Sequence, residues 1–219
     1  MSEACIIDAC RTPRGIGKKG KGALAEQHPQ HLGAVVLRAL AERNNLNTAE
    51  VGDIIFGTSS QRGQQGGDLA RMAALDAGYD VTSSGVTLDR FCGSGITSVN
   101  LAAANILAGM EDLVIGGGCE MMSTFGQDPN QSPFLDSDNL HLRELYPQPH
   151  QGVCADAIAT LEGIDRQAVD ALAVVSQQRA DHAIFSTSSS IDEVTAELPM
   201  LVLIFTRKLR PMIIGSSSG

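Results

Sequence analysis

"LDRFCGSGITSVNLAAANILAGM", residues 88–110, decides how the rest of the chain is read. It follows from a strand-like run, "GVTLD" (85–89), and passes through Cys92, Gly93, Ser94 and Gly95 into a long stretch without charge. From Ile96 to Met110 the polar side chains are Thr97, Ser98, Asn100 and Asn105. A helix that is apolar on nearly all sides is normally covered on nearly all sides. One sheet covers one face only, so this helix predicts a second layer over it. The remaining sequence offers no evident second α/β unit to supply that layer.

The cysteine stands where chemistry is favoured. A helix start presents free backbone N–H groups and the positive end of the dipole, which favours a thiolate over a thiol. Gly93 and Gly95 allow a sharp turn and the close approach of a ligand. The order strand, nucleophile, helix parallels the elbow of serine hydrolases. Main-chain N–H groups beside Cys92 are placed to stabilise an oxyanion. Burial as a packing residue is the usual fate of a free cysteine, but this context marks Cys92 as a candidate nucleophile.

Working outward, residues 1–123 alternate strands with helices. "ACIIDA" (4–9), "DIIFGTS" (53–59), "GVTLD" and "DLVIGGG" (112–118) read as strands. "PQHLGAVVLRALAERN" (29–44) spaces Leu32, Val35, Val36 and Leu40 at helical intervals, and "DLARMAALDAG" (68–78) is a helix with a glycine stop. This order predicts an α/β domain with a largely parallel sheet. "TFGQDPNQSPFLDSDNLHLRELYPQPHQG" (124–152) is rich in Pro, Asp and Asn and reads as an excursion, after which helices return at "ADAIATLEG" (155–163) and at 165–184. "LPMLVLIFTRKLRPMII" (198–214) reads either as a final strand or as a divergent tail. Its uncharged window, Met200–Phe205, is an aggregation hazard where exposed.

A formal net charge of −9 over 219 residues argues against a nucleic-acid partner, which needs a broad basic surface. The five cysteines form no C-x-x-C pair and no dense framework, so neither a zinc site nor a disulfide scaffold is expected. Their odd number suits a reducing compartment. No secretory signal is read at the N-terminus, and no apolar run reads as long enough to span a bilayer. The expectation is a cytoplasmic protein without a membrane partner.

Other motifs are weaker. "GIGKKG" (15–20) fits Gly-x-Gly-x-x-Gly through Gly15, Gly17 and Gly20, but "RTPR" separates it from its strand and Pro29 delays the helix, so no dinucleotide is expected. Lys18, Lys19 and Lys21 read as a solvated basic loop ahead of a phosphate contact. His28, His31, His141 and His182 lack acidic or cysteine partners at metal spacing, so no metal is expected. Cys119 and "EMMS" (120–123) read as packing at the sheet end, and Cys154 receives no role.

Three stretches resemble the thiolase family: "DRFCGSGITSVNLAAANILAGMEDLVIGGGCEMMS" (89–123), "IIDACRTPRG" (6–15) and "QGVCADAIATLEGIDRQAVDALAVVSQQRADHAI" (151–184). The likeness covers roughly residues 4–185, and later residues depart from the pattern. It implies a thiolase-like half, an α/β unit with a mixed, mostly parallel five-stranded sheet and helices on both faces. It sets the unit at 1–123, a partial loop domain at 124–195 and a divergent tail at 196–219. It also implies two similar halves packed face to face with the cysteine helix between them.

The activity implied is acyl transfer between CoA thioesters, with Cys92 carrying the acyl group as a thioester. His150, in "PHQG", matches a histidine lining the family's pantetheine channel, a substrate-binding role. CoA and acyl-CoA are substrates, and no cofactor is implied. The family forms dimers or tetramers, dimerising through the edge strand that "GVTLD" resembles. Its Asn-Glu-Ala-Phe, Gly-His-Pro and second Cys-Gly motifs match nothing in these 219 residues. That leaves a non-catalytic CoA-binding or interaction module as an alternative. A β-ketoacyl synthase-type condensing enzyme is another, disfavoured by "GGGCEMMS" and the loop-domain likeness.

Overall fold

The computed structural model describes residues 3–13, 15–124, 135–186 and 202–206, with 183–186 and 202–206 as backbone alone. The elements run β1 (Cys5–Cys10), α1 (Pro29–Asn44), β2 (Asp53–Gly57), α2 (Leu69–Ala77), β3 (Val86–Leu88), α3 (Ser94–Ala108), β4 (Leu113–Gly118), α4 (Leu140–Leu145), α5 (Gln151–Leu161), α6 (Arg166–Ser186) and β5 (Val202–Thr206). They fall into two compact units, Met1–Phe125 with Glu197–Gly219, and Gly126–Ala196.

The first unit is built on one sheet in the order β1-β5-β4-β2-β3. β2 runs parallel to both β3 and β4. β5 runs antiparallel to β4 on one side and to β1 on the other. The α/β expectation with a parallel sheet therefore holds, with one correction. The five-stranded sheet is mixed as expected but not mostly parallel: its parallel ladder is the three strands β4, β2 and β3, because β5 runs against its neighbours and separates β1 from the rest. Within 198–214 the strand reading holds for 202–206. The rest of that run, the excursion at 125–134 and residues 187–196 lie outside the described residues.

Alternation along the strands sorts the core onto two faces. Ile54 and Phe56 of β2 and Ile115 of β4 join Val36, Leu37 and Leu40 of α1 and Leu69, Ala73 and Ala74 of α2. Ile55 of β2 and Val114 of β4 join Ala102 and Ile106 of α3. Helices thus lie on both faces. The cap of α1 is local: His28 accepts the Gln30 N–H, Pro29 occupies the first turn, and Asn45 ends the helix at φ 45°. α2 runs from the Asp68 cap to Gly78 at φ 80°. Val35, expected in the core, is instead 41% exposed. Val36 and Leu37 hold the buried stripe, and the helical step turns Val35 outward.

α3 sits close against the sheet because the residues between them are small. Its buried stripe is Ser94, Ser98, Ala102 and Ile106. A Cβ on Gly116 would come within 3.0 Å of the Ala102 Cβ. Ser98 Oγ donates to the Gly117 carbonyl at 2.6 Å. The opposite face carries Ile96, Leu101 and Leu107 toward solvent, with Met110 just past the helix end. The helix expected to be covered on nearly all sides is covered on one. By length and composition Phe91–Ala108 would suffice to cross a membrane, contrary to the sequence reading that no run does. In this fold its Ala102 and Ile106 pack on β2 and β4.

In the second unit the excursion holds a short helix that its composition did not signal. Asn139 caps α4 by accepting the Leu142 N–H at 3.1 Å. Arg143 grips the Asp136 carboxylate through Nε and Nη2, both at 2.6 Å. That pairing holds the Asp136 carboxyl below the usual carboxylate range. α5 and α6 occupy the expected helical stretches, with α5 starting earlier because His150 caps it.

Candidate active site at the Cys92 turn

β3 ends at Leu88, and the chain reverses through Asp89–Gly93 into α3. The sharp turn is carried by Phe91, at φ 49°. Gly93, expected to supply it, has φ −88°, open to any residue. A bulky L-residue in the left-handed region is strained and persists only where its surroundings hold it. Here they do. Asp89 Oδ1 accepts the Phe91 N–H at 2.7 Å. Ser94 Oγ accepts the Arg90 N–H at 2.8 Å and donates to the Phe91 carbonyl at 2.6 Å. The Gly93 and Ser94 N–H groups return to the Arg90 and Phe91 carbonyls, both at 3.0 Å.

Cys92 follows directly and is exposed. It precedes Gly93, the helix cap, and no side chain caps the first turn of α3. A Cβ added at Gly95 would meet nothing within 4 Å, so the first turn of α3 is open on that side. Beneath the turn lies the end of β2. A Cβ on Gly57 would overlap the Ser94 backbone, and the Thr58 N–H donates to the Leu88 carbonyl at 3.0 Å. This arrangement places an exposed sulfur one residue before a helix start, while the Gly93 and Ser94 N–H groups are held within the turn.

The remaining cysteines of this unit differ. Cys119 is buried, and that burial, with the Glu120 charge behind it, pushes its thiol up to about 12. Cys10 is raised chiefly by burial and rests 3.4 Å from the Val36 carbonyl. In the second unit, His150 is exposed and its Nδ1 accepts the Gly152 N–H at 3.1 Å. A neutral imidazole accepting at Nδ1 carries its proton on Nε2, leaving one N–H donor. Cys92 and His150 belong to separate compact units. Among the described residues no three His, Cys, Asp or Glu side chains converge to hold a metal.

A cavity of about 590 Å³ opens between the loop after β1 and the exit of β4, lined by Pro13, Ile16, Leu24, Cys119, Met121 and Met122 among others. Cys92 is not in its lining. The "GIGKKG" loop at its rim forms a small hairpin, pairing Lys18 with Lys21. It does not open a helix, as a dinucleotide fingerprint requires.

Exposure orders the thiols. Iodoacetamide added to the folded chain at neutral pH is expected to label Cys92 first and Cys119 last, read by peptide mapping over time. A Cys92 that labels no faster than Cys5 or Cys154 would make it a packing residue in a site without chemistry.

Comparison with known proteins gives the same placement. Residues 4–191 match the family profile for the thiolase N-terminal domain. The chain is 34% identical over 209 residues to a steroid 3-ketoacyl-CoA thiolase of Mycobacterium tuberculosis, covering 90% of this chain and 50% of that protein. It is 38% identical over 188 residues to an acetyl-CoA acetyltransferase of Chromobacterium violaceum, covering 81% and 47%. A probable acetyl-CoA acyltransferase of Staphylococcus aureus aligns at 31% identity over 229 residues, with 100% of this chain and 56% of its own length. That alignment extends through the tail, beyond the limit near residue 185 expected from the sequence. The chain spans about half the length of the curated relatives it matches. With its strand–Cys92–helix turn and this match over most of its length, the chain belongs to the thiolase family.

Proposed function

We propose that this chain is the nucleophile-bearing half of a thiolase-type acyl-CoA acyltransferase, with Cys92 as the acyl acceptor. The observation that carries the reading is the exposed Cys92 thiol at the uncapped start of α3. The Cys92 thiolate adds to the carbonyl carbon of an acyl-CoA, and the carbonyl oxygen takes up the negative charge. Collapse breaks the carbon–sulfur bond to CoA, which leaves as a thiolate and takes up a proton. The acyl group stays on Cys92 as a thioester until a second CoA thiolate, or the α-carbanion of an acyl-CoA, takes it. The Nε2–H of His150 is a donor for the pantetheine arm.

Assembly follows from the same surfaces. Among the described residues β3 is hydrogen-bonded along one edge only, and α3 turns apolar side chains to solvent. Both support a homo-oligomer, a dimer or tetramer, in a reducing cytoplasm that suits five unpaired cysteines.

The test is incubation of the folded chain with acetyl-CoA labelled in the acetyl group, followed by peptide mapping. The expected result is slow, hydroxylamine-sensitive label on Cys92 that Cys92→Ser abolishes. CoA binding without label would instead support the non-catalytic CoA-binding module, which the lack of the family's histidine motif within these residues favours. Label spread evenly over all five cysteines would sink the nucleophile assignment.

A further inference from the structure

We propose that Glu120 is a positioning residue for Cys92, acting through Thr58, Ser59 and Ser94; this rests on the assignment of Cys92 as the acyl acceptor. Glu120 stands two residues past the end of β4, at the sheet edge where β2 also ends. Its Oε2 accepts the Ser59 N–H and the Ser59 hydroxyl, both at 2.5 Å. Thr58 Oγ1 approaches the same oxygen at 3.4 Å. Its Oε1 accepts from Gln65 Nε2 at 2.9 Å. Each of these four groups donates, and the two carboxylate oxygens accept.

Gln65 cannot turn to suit another partner. It is 2% exposed, and its Oε1 takes the Met121 N–H. Its Nε2 also reaches Thr58 Oγ1 at 3.1 Å and the Ser60 carbonyl at 2.8 Å. The segment from Thr58 to Ser60 is therefore pinned to the exit of β4 by one carboxylate and one amide.

Thr58 is the shared anchor. Away from Glu120, its N–H donates to the Leu88 carbonyl at 3.0 Å, and its carbonyl faces Ser94 Oγ at 3.4 Å. Ser94 is 3% exposed, and the same hydroxyl holds Arg90 and Phe91 on either side of the strained turn. A left-handed phenylalanine needs such support. The chain of contacts runs from Glu120 to Thr58 and Ser59, to Ser94, to the turn that presents Cys92.

Glu120→Gln tests this directly, because it replaces one acceptor oxygen with an N–H₂ that must face Ser59 or Gln65 donors. Two readouts are taken on variants shown to be folded by circular dichroism and urea titration. One is amide hydrogen exchange across Phe91–Gly95. The other is the iodoacetamide rate at Cys92 relative to Cys154 in the same tube. Glu120→Gln is expected to speed exchange in the turn and slow Cys92 by about tenfold relative to Cys154, less than the ~10²-fold that a 1 Å misplacement of a reacting group can cost. Glu120→Asp, which keeps two acceptor oxygens, should recover part of the loss.

Ser94→Ala should slow Cys92 similarly. The double variant should be no slower than the worse single, because both act along one path. Should Glu120→Gln fail to fold, Ser59→Ala, which removes one of the donors and leaves the backbone contact, is expected to shift both readouts in the same direction by less. The proposal is overturned by a folded variant with wild-type exchange and wild-type Cys92 rate, or by multiplying effects in the double variant. Faster exchange in a protein whose wild-type Cys92 labels no faster than Cys154 supports the positioning of the turn and refutes the acyl-acceptor assignment.

Discussion

Leu203→Pro is expected to abolish the cooperative unfolding transition of the first unit. Leu203 lies in β5 and pairs with Gly116 of β4 on one side and Ala9 of β1 on the other. An interior strand position gives its N–H to one neighbour or the other, and proline has none to give. The direct cost is a lost ladder bond that leaves a carbonyl unsatisfied, about 1–3 kcal/mol, against a net stability of about 5–15 kcal/mol for a typical domain. The indirect cost is larger, because among the described residues β1 joins the sheet only through β5. Losing β5 frees β1 and opens a second edge on β4. Urea titration followed by circular dichroism measures the effect, with Leu203→Val, which keeps the N–H, as the control. A Leu203→Pro chain with the wild-type midpoint would show that β5 does not hold the sheet together.

Thiolysis of acetoacetyl-CoA by this 219-residue chain is expected to run about 10²–10⁴-fold below that of a thiolase carrying both halves, the usual cost of losing an acid/base group. Cys92, the proposed nucleophile, is exposed, while the histidine and second cysteine motifs of the family match no stretch of the sequence. The steady-state rate is measured by loss of absorbance of the acetoacetyl-CoA enolate, with Cys92→Ser as the reference. Robust turnover that depends on Cys92 would mean that groups within this chain supply the missing proton transfers.

The local elements were legible because their signals are local. α1 follows from apolar spacing with Pro29 at its first turn, and α2 from Gly78 at its end. The four N-terminal strands are short apolar runs between turn residues. The position of β5 was not legible, since pairing with both β1 and β4 leaves no trace in the pattern of either neighbour. Absence of charge in α3 showed that the helix prefers apolar cover but not which face the sheet would take.

At the site, Cys92 was legible from its setting between strand and helix. Phe91 was not, because an aromatic residue carries no signal for positive φ; only the turn's hydrogen bonds reveal it. Glu120 was read with the sheet-end packing. Its donors come from Ser59, 61 positions away, and from Gln65, 55 positions away. The available hint was a carboxylate placed directly after a glycine-rich apolar strand.

The placement of β5 has a consequence for how the chain is made. Cys5 pairs with Thr206, so β1 waits for a partner strand that is made about 200 residues later. At about 5–20 residues per second that wait is on the order of 10–40 s. During it, the apolar edge of β4 stands unpaired while the whole second unit is synthesised. Contacts this distant in sequence form slowly, and nascent chains with open strand edges are bound by chaperones or lost to aggregates. The yield of this protein in a cell is thus tied to the translation of β5, because a chain stopped before Val202 lacks the strand that joins β1 to β4.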